Sequence, residues 1–220
     1  MIPECIALCM SQSRRMIVAD GIYYALGSCA GGLLVAWLTG IPLTASPFFV
    51  FALFSLYFFR DPEREVPPGP VAVSPADGKV MAVKQEQDRT RISIFLNIFD
   101  VHVNRSPVSG VIAAVDYRKG EFLVASKETA SSQNEQNIVT VRMNDGVEIV
   151  FKQIAGLIAR RIVFTRRIGD TLAAGERIGL MKFGSRMDVL LGTEWLVLVK
   201  QGDRVSAGSS ILAERVERTA

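Results

Sequence analysis

Three polar residues in this 220-residue chain stand where they could move protons or make bonds: Asp77, His102 and Ser185. Asp77 lies in Ser74-Pro75-Ala76-Asp77-Gly78-Lys79, a carboxylate at a turn before a β-rich run. His102, the single histidine, lies among polar and charged neighbours in Phe99-Asp100-Val101-His102-Val103-Asn104-Arg105-Ser106-Pro107. Ser185 follows Gly184 between two runs that read as strands. A serine, a histidine and an aspartate could form a hydrolase triad. The serine's setting argues against one, because no strand-to-helix elbow follows it and no G-x-S-x-G surrounds it. A serine preceded by glycine has another chemistry. Its hydroxyl can attack the preceding carbonyl and move the acyl group from nitrogen to oxygen, and glycine, lacking Cβ, permits the approach. Elimination at that ester leaves dehydroalanine, which hydrolyses to a pyruvoyl group. Plainer roles compete: Asp-Gly is an ordinary turn pair, a lone strand histidine often serves structure, and Gly-Ser can be a β-bulge.

Other chemistries find little support. With one histidine, a zinc-hydrolase ligand set cannot be assembled, and no metal is expected. Cys5, Cys9 and Cys29 are odd in number and lie near the N-terminus, so no disulfide framework is implied. A net charge of +3 without a basic, aromatic-studded stripe does not suggest nucleic acid. A swinging-arm carrier is the alternative that the chain keeps open. Gly169-Asp170-Thr171-Leu172-Ala173-Ala174-Gly175 recurs as Gly202-Asp203-Arg204-Val205-Ser206-Ala207-Gly208, and such units resemble the half-motifs of biotinyl and lipoyl barrel-sandwich domains. Lys182 lies between the copies, but Phe183 stands where the biotin pattern has methionine, and the lipoyl Asp-Lys-Ala is absent.

The elements that must position these residues fall into two parts. From Gly21 to Phe59 there is no Asp, Glu, Lys or Arg. That stretch is too long for one bilayer span and breaks at Thr39-Gly40-Ile41-Pro42, a turn signal. It predicts a membrane-associating helical hairpin within residues 1–60, with helices near 20–38 and 43–59. Arg14 and Arg15 before it, and Arg60 and Arg64 after it, place both outer ends on the cytoplasmic side. A cleavable signal ending near Cys29 is set aside, because apolar residues continue well past it. Residues 61–220 open with a proline-rich exit, Val66-Pro67-Pro68-Gly69-Pro70, and are then punctuated every eight to twelve residues by turn formers. Strands are expected at 71–74, 78–84, 91–98, 108–117, 137–143, 147–154 and 195–200, with a short helix near Glu121 to Ser126 and an apolar strand after each glycine repeat. The alternation Arg91-Ile92-Ser93-Ile94 predicts a half-buried strand. The fold class is α+β: a mainly β domain with barrel-sandwich-like repeats behind an apolar helical hairpin.

Several motifs, in order, resemble the short-form phosphatidylserine decarboxylase proenzymes, a pyruvoyl-dependent family. They are Phe58-Phe59-Arg60-Asp61-Pro62-Glu63-Arg64, Pro75-Ala76-Asp77-Gly78, Asp100-Val101-His102-Val103-Asn104-Arg105, Asn134-Glu135, Gln153-Ile154-Ala155-Gly156-Leu157-Ile158-Ala159-Arg160-Arg161, and Phe183-Gly184-Ser185-Arg186-Met187-Asp188. The resemblance implies self-cleavage between Gly184 and Ser185 into a β subunit, 1–184, and an α subunit, 185–220, paired as a heterodimer; a higher oligomer stays open. It implies that His102, with Asp77 orienting or charging it, activates Ser185. The resulting pyruvoyl group would form a Schiff base with the serine headgroup of phosphatidylserine, and His102 would return a proton after carbon dioxide leaves. Neither an external cofactor nor a metal is implied. The implied partners are phosphatidylserine and membrane lipid, and the implied place is the cytoplasmic side of the cell membrane. The chain departs from the long-form pattern: Arg105 stands in place of a second histidine, and the cleavage site reads Phe-Gly-Ser-Arg. Val124, Thr129 and Gln136 also replace family-typical residues, so phosphate recognition does not carry over there. Arg60, Arg64, Arg160, Arg161 and Arg186 are candidates for the lipid phosphate or the membrane surface by charge type.

Overall fold

The computed structural model describes residues 18–157, 161–182 and 184–216. Arg14, Arg15, Arg160 and Phe183, singled out above, lie outside them. The chain divides into two compact units, Met1–Glu63 and Arg64–Ala220.

The first unit is a hairpin. Helix α1 (Ala19–Thr39) ends at Gly40, whose φ of 68° supplies the left-handed cap that reverses the chain. A 3-10 turn, Pro42–Ala45, leads into α2 (Ser46–Phe58). The two helices approach closely because glycine faces the crossing. A Cβ on Gly32 would lie 2.8 Å from the Phe48 Cβ. Ser28 Oγ donates to the Phe48 carbonyl across the same gap, 2.8 Å away. The outward surface is apolar, with Trp37 77% and Leu43 78% exposed. Among the described residues, α1 is the one helix long and apolar enough to cross a bilayer, and α2 is shorter.

Among the described residues, the second unit contains fourteen strands. They are β1 (Val71–Val73), β2 (Gly78–Glu86), β3 (Arg89–Leu96), β4 (Val103–Arg105), β5 (Gly110–Arg118), β6 (Gln136–Arg142), β7 (Glu148–Ile154), β8 (Ile162–Phe164), β9 (Thr171–Leu172), β10 (Arg177–Met181), β11 (Ser185–Leu191), β12 (Trp195–Val197), β13 (Arg204–Val205) and β14 (Ile211–Arg215). Eight of them form one curled antiparallel sheet in the order β13-β2-β3-β11-β7-β6-β5-β9. Two three-stranded sheets, β1-β14-β12 and β4-β10-β8, complete the unit. Ile92, Ile94, Val139, Phe151, Met187 and Val189 meet in a single core, each contributing about 1.5–3 kcal/mol by burial.

The strand orders reveal a duplication. One set comprises β4 to β10, an unbroken stretch of chain. The other comprises β1 to β3 and β11 to β14, with the first set inserted between β3 and β11. The eight-stranded order is symmetric about the β11–β7 pair, and the two small sheets are matching triples. Both β2 and β5 shift register two residues after their start, between Val80 and Ala82 and between Ile112 and Ala114. Such bulges curl a sheet. Gly202 N–H donates to Val80 O and Val80 N–H to Asp203 O, as Gly169 does to Ile112 and Ile112 to Asp170. The repeated glycines share positive φ: 91° and 73° at Gly169 and Gly175, 103° and 75° at Gly202 and Gly208. A second repeat accompanies the first, Ser74-Pro75-Ala76-Asp77-Gly78 against Ser106-Pro107-Val108-Ser109-Gly110. Ser74 and Ser106 hydroxyls donate to the carbonyls of Ala76 and Val108, each two residues on.

Two expectations change. No helix forms at Glu121 to Ser126; the short helix α3 is Ala130–Gln133. The chain is instead held by Asn134, which bonds Leu123 through both its amide oxygen and nitrogen. Strand β3 is buried on both faces rather than one, Arg91 and Ser93 included. The segment carrying Glu128 and Ser131 lies across its polar face, bonded to Arg91 and Asp188.

Candidate active site

The register of three strands gathers the sequence-predicted residues at one end of the large sheet. Asp77 immediately precedes β2, whose first residue, Gly78, packs on the end of β3. A Cβ there would lie 2.2 Å from the Phe95 carbonyl oxygen. Ser185 opens β11 directly opposite Leu96, the last residue of β3. The chain leaving β3 turns through Asn97–Asp100, where Asp100 Oδ2 accepts the Asn97 N–H at 2.9 Å, and returns as His102 just before β4.

His102 is buried, with Nδ1 2.9 Å from the Asp100 carbonyl oxygen. A carbonyl can only accept, so Nδ1 carries the proton and donates, and Nε2 is the basic nitrogen of the neutral ring. Asp77 Oδ1 accepts the Ala207 N–H at 2.7 Å, and Oδ2 pairs with Arg64 Nη2 at 2.8 Å. Burial pushes the Asp77 carboxyl above its ordinary range; the Ala207 N–H and the Arg64 charge oppose this, and the Asp100 charge adds to it. Ser185 is fully buried, and among the described residues its Oγ has no hydrogen-bond partner. Gly184 has φ 42°, while a Cβ on it would meet nothing within 4 Å. Glycine is needed there for its backbone angle and not for space. Beside Gly184 lies a cavity of about 470 Å³, walled by Phe95, Ala125 and Val124 and rimmed by Ile98, Phe99 and Leu157. Phe99 is 62% and Leu157 53% exposed at its mouth. Among the described residues, no group of three His, Cys, Asp or Glu gathers where an ion could be held.

Known proteins resemble this chain over most of its length. The family model described as phosphatidylserine decarboxylase matches residues 51–213. The sequence is 67% identical over 92% of its length to the phosphatidylserine decarboxylase proenzyme of Solibacter usitatus, covering 98% of that protein. It is 46% identical to that of Syntrophus aciditrophicus over 80% of this chain and 84% of the relative. It is 39% identical to that of Desulfotalea psychrophila over 93% of this chain and 99% of the relative. The chain belongs to the phosphatidylserine decarboxylase family.

In this phosphatidylserine decarboxylase family member, Arg186 is buried and engaged by the chain itself rather than open to a headgroup. It is 1% exposed; its Nε pairs with Asp188 Oδ1 at 2.6 Å and its Nη2 donates to Ser93 Oγ at 2.8 Å. Arg91 donates to the same Ser93 hydroxyl and lies 3.6 Å from Asp188 Oδ2, while Ser131 Oγ donates to that oxygen at 2.6 Å. This network fixes the residue after Ser185 and the strand it begins. Asp188→Ala leaves two buried guanidiniums short of a counter-charge, and unfolding in urea should show a loss of about 3–5 kcal/mol. Of the other arginine candidates, Arg64 is taken by Asp77, Arg60 stacks on the Tyr57 ring at 3.9 Å, and Arg161 is exposed. The carrier alternative lacks its geometry. Lys182 is half-buried on the link from β10 to β11, not at the tip of a hairpin. Sequence reasoning missed Arg64 and Ala207 as the partners of Asp77 and missed the Asp100 carbonyl as that of His102. The second Ser-Pro-x-x-Gly copy was the available signal for the first, since its Ser109 Oγ accepts the Ala174 N–H as Asp77 accepts that of Ala207.

Proposed function

We propose that the chain cleaves itself at Gly184–Ser185 and that the mature protein decarboxylates phosphatidylserine to phosphatidylethanolamine. The observation that carries this reading is the buried, partnerless Ser185 hydroxyl beside a glycine of positive φ, at the wall of an apolar cavity. A buried hydroxyl without a partner costs about 1–3 kcal/mol, so its retention points to use.

In the reading, His102 Nε2 takes the Ser185 Oγ proton as the oxygen bonds to the Gly184 carbonyl carbon. The same proton goes to the Ser185 nitrogen as the C–N bond breaks, leaving an ester. Asp77 holds the negative charge that favours the imidazolium formed in between. Loss of the Ser185 α-proton expels the Gly184 carboxylate; one water enters and one ammonia leaves, giving the ketone of a pyruvoyl residue at position 185. The residues present fit that group: Arg186 and β11 anchor its position, and the cavity gives it an open, apolar side. When present, it supplies an electron sink for the bond to the departing carboxylate. His102 holds the proton that replaces carbon dioxide. The apolar cavity wall takes the glycerol and proximal chain carbons of the lipid, and the hairpin keeps the unit at the cytoplasmic surface of the membrane.

Intact mass tests the first half: pieces of about 20 and 4 kDa, scaled from about 0.11 kDa per residue, the smaller without a free amino terminus. Carbon dioxide release from phosphatidylserine vesicles tests the second. A full-length, uncleaved chain that is active would overturn the proposal.

A pH dependence follows. Cleavage needs Asp77 ionised, and its carboxyl is held above the ordinary range, so the rate should fall on acidification at a pH above that of a free aspartate. Because the Arg64 charge pulls the other way, Arg64→Met should move that acid limb to still higher pH in a cleavage-rate profile. Asp100, whose charge also acts on this group, remains unchanged in that variant.

A further inference from the structure

Gly156 holds a place that neither the triad chemistry nor the lipid cavity explains. It follows β7 by two residues and is buried. A Cβ built on it would lie 2.0 Å from the Gly184 carbonyl oxygen, 3.2 Å from the carbonyl carbon and 3.3 Å from the Ala125 Cβ. Its φ is not in the left-handed region, unlike that of Gly184. The backbone alone would accept alanine there. What forbids a side chain is the carbonyl of the bond to be cut.

We propose that Gly156 is a positioning residue for self-cleavage: its bare Cα is the seat of the Gly184 carbonyl. The proposal rests on the assignment of Gly184–Ser185 as the cleaved bond. In the N-to-O shift, the Ser185 oxygen bonds to the Gly184 carbon while that carbonyl oxygen takes up the electron pair of its π bond. The oxygen must move as the carbon becomes tetrahedral. A seat on one side limits its direction and holds the carbon towards Ser185 Oγ. Two glycines therefore serve one bond in different ways, Gly184 by backbone angle and Gly156 by close approach. A methyl at position 156 displaces the carbonyl by an ångström or more, and misplacement on that scale costs about a hundredfold in rate.

The test is the rate at which the Gly156→Ala precursor yields its two pieces, followed by intact mass. The expected result is cleavage slowed about a hundredfold. Hydroxylamine, which cuts an ester but not an amide, should not restore it, because the ester itself fails to form. A variant damaged only in the later elimination would be cut by hydroxylamine, and that result overturns the proposal, as does cleavage at the wild-type rate. Pairing Gly156→Ala with Ala125→Gly separates seat from general crowding. Removing the Ala125 methyl leaves the carbonyl contact in place, so rescue by the pair also overturns it. Thermal unfolding in a Ser185→Ala background shows whether the fold survives. If Gly156→Ala does not fold, Ala125→Val crowds the same Cβ side of that glycine, where the Gly184 carbonyl sits; it should slow cleavage about tenfold, and an unchanged rate overturns the proposal. Cleavage that persists in Ser185→Ala alone would instead sink the assignment of the bond and leave Gly156 without a role.

Discussion

Ser185→Ala should leave a single chain of 24.1 kDa less one oxygen, with no release of carbon dioxide from phosphatidylserine. The loss is complete, because alanine has no oxygen to attack Gly184 and no leaving group to eliminate. The same substitution should not weaken the fold. Its hydroxyl makes no hydrogen bond, so removing it ends a desolvation cost and leaves only a small void. Measured in an Asp77→Asn background, where both chains stay uncleaved, Ser185→Ala should be as stable or up to about 1 kcal/mol more stable in urea. A destabilisation of about 2 kcal/mol or more would mean that the hydroxyl has a structural partner and that its burial is no sign of chemistry.

The second large effect isolates the charge of Asp77 from its place in the fold. The duplication supplies the control. Asp77 and Ser109 occupy matching positions, and each side chain accepts a backbone N–H from the matching glycine repeat, Ala207 and Ala174. A serine therefore suffices for the local structure. Asp77→Ser should fold with the cap retained and lose the carboxylate that pairs with Arg64 and that, on the proposed mechanism, supports the imidazolium. Loss of the aspartate from serine-protease triads costs about 10⁴ in kcat, and self-cleavage should fall by about 10³–10⁴ on that scale. Ser109→Ala is the counterpart. It loses a cap worth about 1 kcal/mol and should still cleave. Equal loss of cleavage in both variants would reduce Asp77 to a structural residue.

These outcomes also mark how far the sequence alone could reach. The hairpin was legible because a charge-free stretch broken at Gly40-Ile41-Pro42 has few other solutions in water or lipid. The glycine repeat was legible because both φ values and both N–H acceptors depend on the written residues. Its partner, Ser74 to Gly78 against Ser106 to Gly110, is written as plainly but shares only three residue types, and pairing gives it meaning. Arg186 was misread because an arginine that follows Gly184-Ser185 looks available. Its counter-charge is two residues on along the same strand, and its cover, Ser93 and the Lys127 carbonyl, is distant in sequence. The half-buried reading of β3 failed for the same reason: the segment that covers Arg91 carries no periodic signal. Gly156 could not be found from spacing, since the atom that excludes its side chain is a backbone oxygen in Gly184.

The inserted arrangement of the two strand sets also imposes a timetable on synthesis. Strands β1 to β3 leave the ribosome first and cannot close their set. Strands β4 to β10 follow as a complete set, and only the final stretch, β11 to β14, returns to finish the first. The Ala207 N–H that fixes Asp77 lies twenty-two residues beyond Ser185. A nascent chain that contains Gly184 and Ser185 but stops short of Ala207 therefore lacks the N–H that holds Asp77. On the proposed cleavage, the bond should stay intact until the stretch that carries Ala207 has joined the fold.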